Sequence, residues 1–464
     1  MPPLLNYRAM KRPIAAPGAL LRRLGTVDAA LIVMGGIVGS GIFMNPSVVA
    51  RYLHSAPLIM LAWVVGGFIA LIGAGLFAEL GARRPSDGGL YAYVRDAFHP
   101  VVAFMYGWTL LLVSQSGGMA ASAVTFGTYF TPLTGLHVEP KLLAAGVIAV
   151  FTIVNCLGVR EGTTTQNAFM FAKIAAIAGL IIVGLFAPHA AAGAATPVPL
   201  AGGGNILVAL GLALVPVMFA YSGYQTSSFM SAEMREPQRT LPRGMLLGVL
   251  AVIALYLGVN AICLLGLGAH GLAATSTPAS AIAQLAFGVP GARIMAVVVA
   301  ISTLGFIVNQ ILTAPRVYFQ MAADGVFFKS LAWIHPRTHV PVIAIAAQGV
   351  VGIIIAFSGA YDAILNYVTS VDYVFFTLCA IALFIFRARD ARRGDATKPG
   401  FTLPLHPWST AIFMLFSGSI VLDVLIKAPR DTGIGLAILL SGIPIYFWFA
   451  RTRGPEGRHV EEPA

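Results

Sequence analysis

The stretch MGGIVGSGIF, residues 34–43, places four glycines and a serine inside an otherwise apolar run. Glycine costs about 1 kcal/mol relative to alanine in a helix interior, so this cluster favours a local break in a helix. A second apolar run is interrupted by the polar residues of FAYSGYQTSSF, residues 219–229. Close helix packing through Gly35 and Gly39, which have small-xxx-small spacing, is the alternative interpretation of the first stretch.

The composition around these stretches is that of an integral membrane protein. The 464 residues are 58% hydrophobic and 10% charged, whereas soluble domains contain about 25% charged residues. A membrane-spanning helix needs about 20 apolar residues, so the chain has length for about 12 of them. We therefore predict an all-α integral membrane protein with 12 transmembrane helices, at residues 27–52, 57–82, 100–130, 142–158, 167–186, 207–231, 244–268, 294–321, 342–358, 373–386, 408–426 and 433–450. A short helix is expected at 278–287, in the uncharged loop after the seventh span.

The charges predict how these helices are oriented. The net charge is +11, and most lysines and arginines fall in the tails and in alternate loops. By the positive-inside rule, these loops and both termini are cytoplasmic, in a plasma membrane or in the inner membrane of a bacterium. A basic protein can bind nucleic acid, but the placement of the charges in loops argues against such a partner.

Interrupted helices at mid-membrane form a binding site from backbone groups. The chain near residues 40–43 is expected to expose N–H groups at a helix start, and these favour a carboxylate. The chain near residues 34–37 and 219–221 is expected to expose carbonyl groups that accept hydrogen bonds from an ammonium group. Both features suit an α-amino acid zwitterion. If the first ten helices form two five-helix repeats, spans one and six occupy corresponding places, and matched interruptions of this kind point to the substrate site of a transporter.

Several ordered motifs resemble the amino acid-polyamine-organocation superfamily, and in particular its L-type amino acid transporter branch. The motifs are GSGIF (39–43), FAELGARRPSDGGLYAYVRDAF (77–98), NCLGVREGTTTQNAFMFAK (155–173), FAYSGYQTSSF (219–229), EMREPQRTLPR (233–243) and RVYFQMAADG (316–325). The resemblance implies a LeuT-type five-plus-five inverted repeat, with broken helices 1 and 6 and two additional C-terminal helices. The implied segments are a tail at 1–26, repeats at 27–187 and 207–389, helices 11 and 12 at 407–451 and a tail at 452–464.

The resemblance also implies which residues bind the substrate. They belong to the two interruptions, with Phe219 as an aromatic gate, and are Ile37, Gly39, Ser40, Gly41, Phe219, Ala220, Tyr221, Ser222 and Gly223. Ser222 stands where many relatives have glycine and Tyr224 where several have tryptophan, and the bulk of Ser222 favours small or medium substrates. Around this pocket, which includes residues 114–118 of the third span, no acidic or basic side chain is expected. A charged substrate side chain would then lack a partner, so neutral amino acids are predicted.

Lys173 is a basic residue well inside a predicted span. An unpaired charge at mid-membrane costs roughly 2.5–3.5 kcal/mol on insertion scales, so such residues usually face the bundle interior and are functional. Snorkelling of the lysine to the interface is the alternative. By resemblance to sodium-independent relatives, Lys173 replaces a sodium ion and bridges the first span to Ser302 and Thr303 in span eight. Burial favours the neutral form of an ammonium group, so proton coupling remains open beside exchange.

We therefore predict a sodium-independent secondary transporter of neutral amino acids that works by alternating access. Exchange is the favoured mode and proton-coupled symport is its alternative, while a membrane channel is the alternative from another class. A membrane enzyme is disfavoured because the spans lack paired ionisable groups, and the chain has no phosphate-binding loop motif of an ATP-driven pump. No cofactor or metal is expected, since the nine histidines fall in loops, span ends or tails.

Acidic residues near the span ends are expected to be structural. Glu79 and Glu233 lie beside basic residues, and salt bridges are favoured over a role as catalytic acids; these neighbours are Arg83, Arg84 and Arg235. Asp423 lies deeper in a span and has no predicted role beyond helix packing.

The cysteines are predicted to act as small hydrophobic residues in apolar runs; they are Cys156, Cys263 and Cys379. Eukaryotic L-type relatives link to a single-span glycoprotein through a cysteine in the external loop between spans three and four. The corresponding loop here, residues 131–141, contains no cysteine. No disulfide-linked accessory subunit is therefore expected, and the predicted partners are amino acid substrates and membrane lipid.

Overall fold

The structure is a computed structural model that describes residues 20–86, 88–135, 138–187, 205–358, 361–393, 399–427 and 429–451. Most of the predicted N-terminal tail, residues 1–19, and the predicted tail at 452–464 lie outside the described residues. The α-helices are α1 (Thr26–Ile37), α2 (Gly41–Leu53), α3 (Ala56–Arg83), α4 (Leu90–Ala97), α5 (Pro100–Thr109), α6 (Gln115–Thr134), α7 (Pro140–Leu157), α8 (Val159–Phe186), α9 (Ile206–Tyr221), α10 (Pro237–Ala274), α11 (Pro278–Phe287), α12 (Val289–Thr313), α13 (Pro315–Ala323), α14 (Val342–Ser358), α15 (Tyr361–Arg393), α16 (Trp408–Lys427) and α17 (Pro429–Arg451). Other helical segments are a π-helical turn at Leu110–Ser114 and 3-10 helices at Tyr224–Glu233 and Lys329–Ala332.

The described part of the chain contains nine helices that are long and apolar enough to cross a membrane. The pair α1 and α2 passes the same test when taken together, as two helices bent by 49° at a short break. α14 is apolar but has 17 residues, and α15 contains the tenth predicted apolar run. Regular structure in these residues is helical, apart from one isolated backbone bridge between Leu24 and Met234. The prediction of an all-α, multi-pass membrane protein is confirmed.

Proline marks the beginning of several of these helices. Pro57, Pro140, Pro237 and Pro278 each lie in the first turn of a helix, where a missing N–H leaves no helical hydrogen bond unmade. Helix α11 has the bounds expected for the short helix, at 278–287. The predicted span at 244–268, by contrast, begins later than α10, because the apolar run does not include the helix start at Pro237.

The bundle has a buried centre and an apolar outer surface. α1 is buried on all sides from Leu31 to Ile37, where it packs against α10 and the 3-10 helix at Tyr224–Glu233. Large apolar side chains are exposed on outer helices, among them Phe68, Ile153 and Ile354. Such a surface contacts lipid acyl chains in a bilayer. The interrupted helices, in contrast, lie in the buried centre of the protein.

Candidate functional site

Two helix interruptions lie in contact inside the bundle. α1 ends at Ile37 and α2 begins at Gly41. The sixth predicted span has a similar form, because α9 ends at Tyr221 and a 3-10 helix begins at Tyr224. Between them Gly223 has a φ of +116°, a backbone conformation that glycine adopts without steric cost.

Glycine is required where the two interruptions meet. A Cβ atom at Gly36 would lie 2.6 Å from the carbonyl oxygen of Gly223 and 2.6 Å from Oγ1 of Thr226. A Cβ atom at Gly223 would overlap the carbonyl group of Gly36. Carbon and oxygen atoms in close contact are normally separated by about 3.3 Å or more. The two backbones therefore pack directly on each other, and a methyl group at either position would push them apart.

The predicted substrate residues form an accessible set and a buried set. Phe219 is 38% exposed, and the other accessible residues are Gly39, Ser40, Gly41, Ser222 and Gly223. The buried residues are Ile37, Ala220 and Tyr221. The two interruptions are in contact here as well, because a Cβ atom at Gly41 would lie 3.3 Å from Cα of Ala220. N–H groups at a helix start lack an acceptor within their own helix. At α2 the N–H of Phe43 donates to the carbonyl oxygen of Ser40 at 3.1 Å, so the N–H groups of the accessible residues Ser40 and Gly41 are the ones that can face a carboxylate.

Two tyrosines of the sixth span pack into the bundle. The hydroxyl of Tyr221 donates to the carbonyl oxygen of Trp63 at 3.3 Å. The ring of Tyr224 is fully buried and lies 5.9 Å from the rings of Phe77 and Phe376. The side chain of Tyr224 therefore packs into an aromatic cluster in the bundle.

Tyr256 of α10 joins the two interruptions, and sequence reasoning missed it. Its hydroxyl lies 3.2 Å from the carbonyl oxygen of Ile37 and 3.2 Å from that of Ala220. These are two of the carbonyl groups expected to face the substrate ammonium group. Since Tyr256 lies in the apolar part of α10 that precedes the kink at Gly268, no local signal in the sequence marks it. Its position holds the ends of α1 and α9 together.

Lys173 reaches the interruption of the first span from α8. Its side chain is 2% exposed, and Nζ donates to the carbonyl oxygen of Val38 at 2.7 Å. It packs on α12, where a Cβ atom at Gly305 would lie 3.3 Å from Nζ. Ser302 donates to the carbonyl oxygen of Gly39 over a long 3.5 Å. The structure therefore brings Lys173, Ser302 and the first interruption together.

Thr303 is not part of this group of contacts. Its hydroxyl donates within α12 to the carbonyl oxygen of Ala300, at 2.8 Å. The side chain therefore satisfies its own helix and does not bridge to the first span. The expected bridge to span eight is made by Ser302 and by packing at Gly305.

A carboxylate does lie beside the third-span segment, contrary to the expectation of an uncharged pocket. Asp372 of α15 accepts a hydrogen bond from Oγ of Ser114 at 2.9 Å. Its neighbour Tyr373 has its hydroxyl 3.0 Å from Oγ of Ser222. Asp372 immediately precedes the apolar run recognised at 373–386. It was missed because a helix longer than this run carries the residue into the bundle.

Ion pairs join helix ends on one side of the bundle. Glu79 is fully buried and bonds to Arg83 at 2.7 Å, to Arg387 at 2.6 Å and to the backbone N–H of Leu403 at 2.6 Å. Glu79 therefore ties α3 to α15 and to the segment before α16, as a structural acid.

His406 lies in the loop near this group. Burial lowers the pKa of His406, and the positive charge of Arg387 lowers it further.

The second predicted acid has a different partner from the one expected. Glu233 pairs with Arg316 at 2.7 Å, and both side chains are buried; the expected partner was Arg235. Arg84 pairs with Asp390 at 3.2 Å and not with a glutamate. These partners are distant in sequence and become neighbours only through tertiary packing.

Cysteines and histidines form no site of their own in the residues that the structure describes. The cysteines are unpaired, with Cys263 and Cys379 buried and Cys156 partly buried. The same residues contain no group of three side chains with the geometry of a metal site.

Interrupted helices that pack backbone to backbone inside a multi-pass bundle are typical of the substrate site of a secondary transporter. The chain belongs to the amino acid permease family, whose model matches residues 24–449. This confirms the resemblance to the amino acid-polyamine-organocation superfamily.

Curated relatives cover most of the chain. It is 30% identical over 449 residues to the "Large neutral amino acids transporter small subunit 2" of Homo sapiens, covering 92% of this chain and 80% of the relative. It is 28% identical over 446 residues to the "Serine/threonine exchanger SteT" of Bacillus subtilis (strain 168), covering 92% and 97%. It is 28% identical over 463 residues to the "b(0,+)-type amino acid transporter 1" of Mus musculus, covering 96% and 92%.

Proposed function

We propose that this protein is a sodium-independent secondary transporter that exchanges neutral amino acids by alternating access. In this proposal the chain crosses the membrane 12 times, as a five-plus-five inverted repeat with broken helices 1 and 6 and two further helices. Both termini are cytoplasmic. The observation that carries the proposal is the contact between the two interruptions at Gly36 and Gly223.

The substrate assignment follows from the groups around that contact. N–H groups at the start of α2 favour the carboxylate of an amino acid, and the accessible Phe219 beside them is the proposed gate. The names of two relatives refer to neutral amino acids and to serine and threonine. A small or medium neutral amino acid agrees both with the groups around the contact and with the names of these relatives.

Sodium independence rests on Lys173. Its ammonium group donates to the carbonyl oxygen of Val38 at 2.7 Å, close to Gly305 of α12. A fixed positive charge between the first span and span eight supplies what a bound sodium ion would supply to these carbonyl groups. A sodium ion at the same position would meet repulsion from the ammonium group.

The test uses radiolabelled uptake of neutral amino acids into proteoliposomes. Wild-type uptake is expected to be unchanged when choline replaces sodium. Lys173→Ala is expected to lower uptake at least about tenfold, because the carbonyl oxygen of Val38 loses a charged donor worth about 1.5–3 kcal/mol. Lys329→Ala is the control, since Lys329 is an exposed lysine. Sodium-dependent uptake by the wild type, or a fully active Lys173→Ala variant, would contradict the assignment.

Proton symport is the second candidate function, and the burial of Lys173 favours it. A buried lysine is a candidate for the reversible release and uptake of a proton during a transport cycle. A pH gradient without internal amino acid drives accumulation in a symporter, whereas internal amino acid drives it in an exchanger. In a channel, uptake would depend on neither the pH gradient nor the internal amino acid, and the protein would conduct passive current.

We also propose that the single chain transports without a disulfide-linked accessory subunit. The loop at 131–141 has no cysteine. The name of the human relative marks that protein as a small subunit, so association with a partner is the competing expectation. Transport by the purified single chain supports the proposal, and a strict need for a second chain refutes it.

A further inference from the structure

Asp372 lies among three hydroxyl-bearing side chains, and the four residues come from three spans. Its Oδ1 accepts from Ser114, which ends the π-helical turn of the third span. Tyr373, the next residue on α15, contacts Ser222 in the interruption of the sixth span. π-helical turns are frequent at functional sites. This group, Ser114, Ser222, Asp372 and Tyr373, is named here the hydroxyl wall, and it adjoins the accessible residues near Phe219.

The protons of the hydroxyl wall are already committed. Ser222 donates its single hydroxyl proton to the carbonyl oxygen of Met218 at 2.9 Å, so Tyr373 is the donor in its bond to Ser222. Ser114 donates to Asp372. Each hydroxyl has one proton and two lone pairs. The wall therefore offers acceptors and no free hydroxyl proton, so it is suited to a ligand that donates a hydrogen bond.

The carboxylate is the strongest acceptor in the wall, and it is partly accessible. Asp372 has intermediate exposure, whereas Ser114 and Tyr373 are buried. Within the described residues, the ion pairs do not include Asp372. A carboxylate has two oxygens and about four acceptor positions, so beside the bond from Ser114 it can accept another from a donating group of the substrate.

The depth of Asp372 matches that of the substrate site. Arg387, which binds Glu79 at the end of α3, follows Asp372 on α15. The separation along the helix is about four turns, or about 22 Å. Asp372 thus lies far from that helix end. At its level Ser114 contacts Asp372, and Ser222 contacts the neighbouring Tyr373.

We propose that Asp372 accepts a hydrogen bond from the side-chain hydroxyl of the substrate, so that the protein selects serine and threonine over apolar amino acids of equal size. This inference rests on the proposed transport of neutral amino acids. Ser114 already shows a serine hydroxyl bound to this carboxylate. The substrate hydroxyl binds in the same manner, as a second donor that needs no countercharge.

The test compares threonine with valine, which have nearly the same shape but differ in the hydroxyl. Radiolabelled uptake into proteoliposomes is measured for threonine, valine, alanine and lysine. The wild type is expected to prefer threonine to valine, as kcat/KM, by about tenfold or more. Asp372→Leu is expected to reduce this ratio below about threefold, and Asp372→Asn, which keeps one acceptor oxygen, to give an intermediate ratio. Asp423→Asn is the matched control, because Asp423 lies on α16, and it is expected to keep the wild-type ratio.

Each other result overturns the inference. Equal uptake of threonine and valine by the wild type does so even when no Asp372 variant folds. Preferential lysine uptake that is lost in Asp372→Asn reassigns the carboxylate to a cationic substrate. Uptake of alanine without a threonine preference refutes this inference alone, whereas absence of uptake of every amino acid refutes the proposed function with it.

Discussion

Replacing Gly36 by alanine tests the contact between the two helix interruptions. The new methyl group would lie 2.6 Å from the carbonyl oxygen of Gly223, a backbone atom that cannot rotate away. Gly211 provides a matched control, because it lies in helix α9 and a Cβ atom there would meet nothing within 4 Å. Alanine gains about 1 kcal/mol of helix propensity at Gly211, inside α9, and less at Gly36, the second-last residue of α1. The difference between the two variants is therefore dominated by the steric cost of overpacking at Gly36, about 1–3 kcal/mol.

Two measurements read this difference. Thermal unfolding of the purified protein in detergent is expected to show Gly36→Ala less stable than Gly211→Ala. Uptake by Gly36→Ala is expected to fall at least about tenfold, since 1.4 kcal/mol corresponds to a factor of ten, while Gly211→Ala transports like the wild type. Equal stability and equal uptake of the two variants would refute the close contact.

Three further predictions concern the groups around this contact. Tyr256→Phe removes the hydroxyl shared by two buried carbonyl groups, and it is expected to lower stability by about 1–3 kcal/mol and to slow uptake, as measured by thermal unfolding and transport. Arg316→Met leaves Glu233 buried without its partner, and it is expected to cost about 3–5 kcal/mol; the double variant with Glu233→Gln is expected to recover part of this stability, and no recovery would argue against the pairing. A reporter fused after Arg451 is expected to be cytoplasmic, and an external reporter would overturn the proposed topology.

Local signals in the sequence were sufficient for the fold class and for the position of the interruptions. The glycines at 35–41 and the Ser222–Gly223 pair mark where α1 and α9 end, because both signals act through backbone conformation within one or two turns. The short helix α11 was also predicted, at 278–287 in an uncharged loop.

Contacts between distant segments were not readable in this way. Tyr256 looks like any aromatic residue of an apolar helix, and its bonds to Ile37 and Ala220 depend on how α10 crosses the bundle. The pairing of Glu233 with Arg316 likewise spans 83 positions. Asp372 was overlooked because an apolar run defines a span by composition, whereas the helix that contains it begins before that run.

The most direct test of the proposed function is counterflow with the purified single chain. Proteoliposomes are loaded with unlabelled alanine and diluted into a trace of radiolabelled alanine, once in sodium and once in choline. The account predicts transient accumulation of label above its equilibrium level, equal in both salts and absent without internal amino acid. Accumulation that requires sodium, or label entry that is indifferent to internal amino acid, would contradict it.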